Sequence, residues 1–406
     1  KLIYSYDGET VCIEAWGKDA LRVRATKNRS FTGRDWALEA KDAHAGEVEI
    51  FEDPSAKGGA FANMYEGTDT SYGKITNGKL HAVIDSGSVI TFYHEDGRVL
   101  LKEHFRRLRD EESMPLNIMG REYSNGVGDN FRIVTRFVAR KGEKIFGMGQ
   151  YQQHELDLKG CMLELAQRNS QVSVPFYLSS IGYGFLWNNP GVGQVMFANN
   201  GTEWVTESGK EIDYLVIAGD TPAEIEENYM TLTGKPPMMP EYGMGFWQCK
   251  LRYWNQEQLL SVARKYKELG IPLDVIIVDF FHWTKQGEFK FDPKYWPDVP
   301  GMCRELKEMG IQVVVSVWPT VDIYSENFEE MKEKGYLVRT EHGVPLTMLC
   351  GGNEVFFDAT NPDARTYVWE KIKKNYYDQG AKLFWLDVAE PEYSVYDFKN
   401  YRYQLG

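Results

Sequence analysis

Asp387 closes a short apolar run, Leu383–Leu386, and Glu390, Pro391 and Glu392 follow it at once. Asp279 stands in the same position after Leu273–Val278, and Trp318 after Val313–Val317. Leu383–Leu386 is uninterrupted and the other two are broken only by Asp274 and Ser316; such predominantly apolar runs read as strands of a parallel sheet, buried on both faces. Such sheets present their chemistry at the carboxyl ends of their strands. A carboxylate placed there can act as a nucleophile or accept hydrogen bonds from a ligand's hydroxyls. Asp279, His282, Asp387 and Glu390 could instead hold a metal, although the H-x-H and H-E-x-x-H spacings that favour one are absent. A strand-end Asp can also do no more than cap the loop after it.

The elements that position these groups repeat. Asn255 and Gln258 form a capping-box pattern for a helix whose Leu259, Val262, Ala263, Tyr266 and Leu269 share one face, and Gly270 ends it. A second helix, marked by Met302, Leu306 and Met309, ends at Gly310, and a longer one from Asp363 to Asp378 ends at Gly380. Gly243–Cys249 is a further strand candidate. Helix, glycine, apolar strand and polar or aromatic end residue recur in that order, which predicts a parallel sheet with right-handed crossovers. The strand ends converge on one mouth only if the sheet closes into a (β/α)8 TIM barrel; an open doubly wound sheet is the alternative. Neither G-x-G-x-x-G nor G-x-x-x-x-G-K-[ST] supports a nucleotide site. A full barrel has eight strands and typically about 250 residues. Only four strand candidates follow residue 240, so the chain reads as truncated, the first part of a longer protein.

Residues 1–233 have another rhythm. Thr10–Trp16 and Leu21–Thr26 alternate apolar and polar residues, and Asn77-Gly78, Ser86-Gly87 and Asp96-Gly97 punctuate a meander of hairpins. Further strands are expected at Phe131–Arg140, Val174–Ser179, Gly184–Asn188, Gln194–Asn199 and Ile212–Ala218, and a helix from Thr221, its N-cap, through Tyr229. This predicts an antiparallel β-sandwich over 1–233. The segment 234–240, with three prolines, reads as a stiff linker, and 241–406 as the partial barrel.

Composition narrows the partners. A net charge of −13 over 406 residues, without long runs of one sign, argues against nucleic acid and anionic membrane. No apolar run reaches the length of a membrane span. Aromatic residues make up 14%, which suits the apolar C–H faces of sugars and equally a large core. Five widely spaced cysteines without a C-x-x-C pair indicate neither a disulfide framework nor structural zinc, and a cytoplasmic setting is the simplest reading. The sequence leaves a homo-oligomer open.

The stretches GFWQCKLRYWNQEQ, DVIIVDFFHWTKQGEFKFDPKYWPDVPGM and FWLDVAEPE resemble the α-glycoside hydrolases of glycoside hydrolase family 31. GMGQY at Gly147–Tyr151 and VPFYLSSIGYGFLWNN are similar to that family's N-terminal sandwich, and the aromatic loop after Asp279 is most like the α-xylosidases. The resemblance implies retaining hydrolysis of an oligosaccharide or small α-glycoside, without cofactor or metal. Asp387 matches the nucleophile, and the acid/base partner is expected beyond Gly406. Glu390 is expected to orient the nucleophile and Asp279 to bind sugar hydroxyls. Phe280, Phe281, Trp318 and Trp385 are expected to wall the pocket. His282 could bond a ligand hydroxyl, with a satisfied structural histidine the favoured alternative, and Arg252, after the first strand, either reaches the pocket or is a solvated loop charge. The bulk of Phe280, Phe281 and Trp385 favours α-xylose over α-glucose, which carries an extra hydroxymethyl group. An α-glucosidase or transglycosylase of the same family is the alternative. Of another class are a metal-dependent barrel hydrolase and a non-catalytic sugar-binding protein.

Overall fold

The computed structural model describes residues 1–52, 71–85, 87–108, 116–340, 343, 347–348, 353–390 and 401–403. The chain divides into two compact units, Lys1–Pro236 and Pro237–Gly406.

The first unit is an antiparallel β-sandwich. One sheet has the strand order Leu2–Tyr6, Glu9–Trp16, Ala20–Thr26, Ile212–Ala218, Tyr183–Trp187, Val172–Ser179 and Ile145–Gln150, with Ala43–His44 pairing Glu9–Trp16 as its eighth strand. A second runs Arg121–Asn125, Phe131–Phe137, Gly201–Gly209, Gly193–Ala198, Met162–Leu165, and a third is the five-stranded meander from Glu47–Glu52 to Val99–Lys102. The meander turns at Gly78 and Gly97, both at positive φ, while Ser86 lies outside the described residues. Trp187, Trp204, Tyr177, Phe185 and Tyr214 fill one continuous core by ring stacking. Buried charge is matched: Arg121 donates to Glu9 and Glu103, and Arg22 to Asp213 and Asp35. Removing one partner of such a pair typically costs about 3–5 kcal/mol. The helix after these strands, Pro222–Thr233, is capped by Thr221 and runs one turn beyond the expected Tyr229, because Leu232 is fully buried in its own cluster.

The second unit contains four parallel strands: β1 (Trp247–Gln248), β2 (Val275–Val278), β3 (Gln312–Val317) and β4 (Leu383–Leu386), hydrogen-bonded in that order. Helix α1 (Gln256–Glu268) joins β1 to β2, and α2 (Val299–Glu308) precedes β3. An excursion with α3 (Phe328–Glu333) and a three-stranded antiparallel sheet (Thr320–Asp322, Glu354–Phe356, Thr347–Met348) leads to α4 (Pro362–Ile372) and β4. The Asn255 cap forms as expected, its Oδ1 accepting from Gln258 N at 2.9 Å while Gln258 Oε1 accepts from Trp254 N at 2.7 Å. Gly270 and Gly310 end their helices at φ +67° and +76°.

Period-two alternation gives the sheet two different faces. Ile276, Val278, Val313, Val315 and Val317 pack with α1, α2 and α4 in the main core. Each such side chain contributes about 2 kcal/mol by leaving water. Val275, Ile277 and Val314 form a smaller cluster on the other face. Continuing the alternation puts Asp279, Trp318 and Asp387 beyond the strand ends on that second face.

Three expectations need correction. The first strand is two residues, not Gly243–Cys249, because Glu241–Met244 forms a 3-10 turn and Gly245 crosses Asp274 so closely that a Cβ would meet its carboxylate at 2.1 Å. The last helix is α-helical only to Ile372, and Lys373–Tyr377 is a π turn. β4 is not buried on both faces: Trp385 is 49% and Leu386 70% exposed, since among the described residues β4 is an edge strand paired only with β3.

Candidate active site

Asp279 and Asp387 are held in the same way. One Asp279 oxygen accepts from the next backbone N–H, Phe280 N at 2.8 Å, and the other from the Cys249 thiol at 3.3 Å. One Asp387 oxygen accepts from Val388 N at 2.9 Å and the other from the Trp318 indole N–H at 3.1 Å. Asp387 also extends the ladder, its own N–H donating to Val317 O at 3.1 Å. Each carboxylate has about four acceptor positions, so two bonds fix its orientation and leave lone pairs for a ligand. Both loops then turn left-handed: Phe281 at φ +62° and the β-branched Val388 at φ +56°. That region is unfavourable for such residues, and strain of this kind collects at functional sites.

Trp318 connects the two strand ends. Its ring stacks on Phe280 at 5.3 Å, with Trp283 at 6.0 Å and Phe281 at 6.5 Å. Phe280 and Phe281 touch at 4.4 Å. The structure therefore brings together Asp279, Phe280, Phe281, Trp318 and Asp387 from the ends of three adjacent strands. Trp385 is not in ring contact with this group among the described residues; it lines a recess with Tyr242, Trp247, Val314 and Leu383 on the same face of the sheet. Glu390 is half-buried and has no hydrogen-bond partner among the described residues, so no network joins it to Asp387 there. Pro391 and Glu392 lie outside the described residues. Arg252 does sit beside this loop, donating to Phe281 O at 3.2 Å.

His282 takes the structural role and not the ligand contact. It is 2% exposed, and both ring nitrogens are engaged, Nδ1 with Asp279 O and Nε2 with the Tyr376 hydroxyl, each at 2.9 Å. A carbonyl only accepts, so Nδ1 carries the proton and Nε2 accepts from Tyr376. The ring braces the Asp279 backbone and is not free for a ligand hydroxyl or a metal. Among the described residues, no three His, Cys, Asp or Glu side chains gather in a way that could hold one. Burial pushes the His282 pKa down to about 4 from 6.5. The unfolded chain therefore binds more protons between these values, and stability falls as pH drops through that window. The loss reaches about 3 kcal/mol. Chemical denaturation at pH 7 and pH 4.5 should show a steeper fall in the wild type than in His282→Gln; equal slopes would contradict the assignment.

Sequence reasoning missed Cys249, Trp283 and Tyr376. Cys249 follows β1 as Asp279 follows β2, so the strand-end rule alone would have found it. Tyr376 gave no signal, because the π turn that aims it is not legible in the periodicity. The loops are also tied by Gln286 Nε2 to Thr320 Oγ1 at 2.6 Å and Thr320 Oγ1 to Glu354 Oε2 at 2.8 Å, reaching into the excursion after β3.

Residues 236–404 match the family model for the glycosyl hydrolases family 31 TIM-barrel domain, and residues 10–195 that for the glycosyl hydrolase 31 N-terminal galactose mutarotase-like domain. Over 414 residues, 99% of this chain and 75% of the relative, the sequence is 45% identical to an uncharacterized family 31 glucosidase, ORF2, of Pseudescherichia vulneris. The chain belongs to glycosyl hydrolase family 31. Another family 31 member, α-xylosidase A of Aspergillus niger, is 31% identical over 401 residues, 94% of this chain and 52% of that protein. A solved family 31 α-xylosidase from a soil metagenome, complexed with xylose, superposes with a TM-score of 0.89 at 50% identity, covering 100% of this chain and 59% of that one. The chain thus spans between half and three quarters of these relatives. The four parallel strands belong to the family's TIM-barrel domain, and no helix among the described residues is long and apolar enough to cross a membrane.

Proposed function

We propose that this chain carries the nucleophile and sugar-binding side of a retaining α-glycoside hydrolase that releases a terminal, non-reducing α-xylose. The observation that carries the reading is the Asp387 carboxylate, oriented by the Trp318 indole at 3.1 Å beside the Phe280–Phe281 pair. An ionised carboxylate so held attacks the anomeric carbon as the bond to the aglycone oxygen breaks and that oxygen takes a proton from the acid partner. Water then cleaves the resulting glycosyl ester, releasing the sugar and restoring the carboxylate. Trp318 N–H and Val388 N–H stabilise its charge without shielding every lone pair. Asp279 accepts hydrogen bonds from ring hydroxyls, a task suited to a charged acceptor. β2 and β4 are separated by β3, roughly 10 Å between strand axes. A retaining acid/base pair faces across only about 5 Å, which supports a binding role for Asp279. The protonated partner is assigned to none of the described residues.

The sugar preference follows from the aromatic wall. Phe280, Phe281 and Trp318 close one side with rings, and an extra hydroxymethyl there must displace one of them. That relatives of 31% and 50% identity are α-xylosidases supports the same choice. The free Cys12, Cys161, Cys249 and Cys303 support a reducing, cytoplasmic setting. In the full-length protein, p-nitrophenyl α-xyloside should be hydrolysed with kcat/KM roughly tenfold or more above the α-glucoside. A preference for the glucoside would overturn the xylose assignment.

A further inference from the structure

Arg252 has the position of a ligand contact but the bonding of a brace. Its Nη1 donates to the Phe281 carbonyl at 3.2 Å, and its guanidinium carbon lies 5.0 Å from the centroid of the Phe281 ring. The same group lies 4.1 Å from the centroid of the Trp254 ring. One planar cation therefore holds both the backbone and the side chain of a single residue and contacts a second ring besides. Among the described residues no carboxylate pairs with Arg252, so these contacts account for its placement. Phe281 needs such a hold. Its backbone is left-handed at φ +62°, a region bulky residues avoid, and its side chain is 50% exposed, so core packing does not fix it.

We propose that Arg252 is a positioning residue that clamps Phe281 against the sugar pocket and, through it, sets which sugar the pocket accepts. The clamp rests on the reading of the Asp279–Phe281 loop as the pocket wall. Phe281 contacts Phe280 at 4.4 Å, and Phe280 stacks on Trp318. Loosening Phe281 therefore opens the wall where a hydroxymethyl group is rejected, while leaving the Asp387–Trp318 hydrogen bond in place. A lysine keeps the charge but lacks the flat guanidinium that meets both rings and the fixed direction of its N–H groups. It should restore only part of the effect.

The test is a double-mutant cycle in the full-length protein. Arg252→Met, Arg252→Lys, Phe281→Ala and the Phe281→Ala combinations are assayed on p-nitrophenyl α-xyloside and α-glucoside. Arg252→Met should lower the xyloside-to-glucoside ratio of kcat/KM roughly tenfold, chiefly by admitting the glucoside, and Arg252→Lys by less. In the Phe281→Ala background either change at Arg252 should alter the ratio by less than about twofold. The same loss in both backgrounds, or an unchanged ratio in a folded Arg252→Met protein, overturns the clamp. If Arg252→Met does not fold, the Arg252→Lys arms carry the cycle. A wild type that cleaves neither glycoside contradicts the proposed function; amide exchange over residues 280–283 then decides the clamp, faster in Arg252→Lys if it holds and unchanged if it does not.

Discussion

Asp387→Ala in the full-length protein should abolish turnover of aryl α-glycosides, with kcat falling by roughly 10⁴ or more. Alanine leaves the acceptor side of the pocket and the aromatic wall intact and removes only the group that forms the glycosyl ester. Binding of free xylose should therefore change little while chemistry stops. The substitution should not unfold the protein, because the side chain is half-buried and gives up two hydrogen bonds, from Trp318 and Val388. Each such bond contributes about 1–2 kcal/mol. Azide fits the vacated space and should restore part of the activity, with the azide attached on the face the carboxylate would have attacked. Activity within tenfold of the wild type would remove Asp387 from the mechanism.

Asp279→Asn should lower kcat/KM roughly a hundredfold or more. Charged hydrogen bonds contribute about 1.5–3 kcal/mol each, and the amide replaces a charged acceptor with a neutral one carrying a donor in the wrong place. A second readout needs no substrate. Desolvation and the Asp279 carboxylate that accepts its hydrogen bond push the Cys249 thiol up to about 11, so it is a poor nucleophile at neutral pH although the residue is exposed. Removing the carboxylate's charge should make Cys249 react severalfold faster with iodoacetamide at pH 8. Normal glycoside kinetics with faster alkylation would leave Asp279 as the thiol's partner and deny it the sugar.

The strands at Val275–Val278 and Gln312–Val317 were legible because a strand covered on both faces is mostly apolar, here broken only by Gln312 and Ser316. The residues that close those two runs, Asp279 and Trp318, and Asp387 after Leu383–Leu386, stand out by their place at the strand ends. β4 carries the same apolar signature yet stands exposed, since sequence records the demand for burial and not whether a neighbour meets it. The sandwich strands with strict alternation were found to within two or three residues. Gly201–Gly209 and Met162–Leu165 were missed, the first beginning directly after a two-residue turn and the second only four residues long. His282 illustrates the limit at the site: a structural histidine could be expected, but not that its partner is Tyr376, nearly a hundred residues away and on a π turn. Such pairings are tertiary facts. Trp385 belongs with them, because alternation places it on the functional face without saying which neighbours it meets.

The most direct measurement is to trap the intermediate. Incubating the full-length protein with a 5-fluoro-α-xylosyl fluoride, whose fluorine slows release of the ester, and mapping the labelled peptide by mass spectrometry identifies the nucleophile. One fluoropentosyl adduct per active site, on Asp387, is expected. An adduct on Asp279, Glu390 or any other side chain, or steady turnover with inversion at C1 and no adduct, would contradict it.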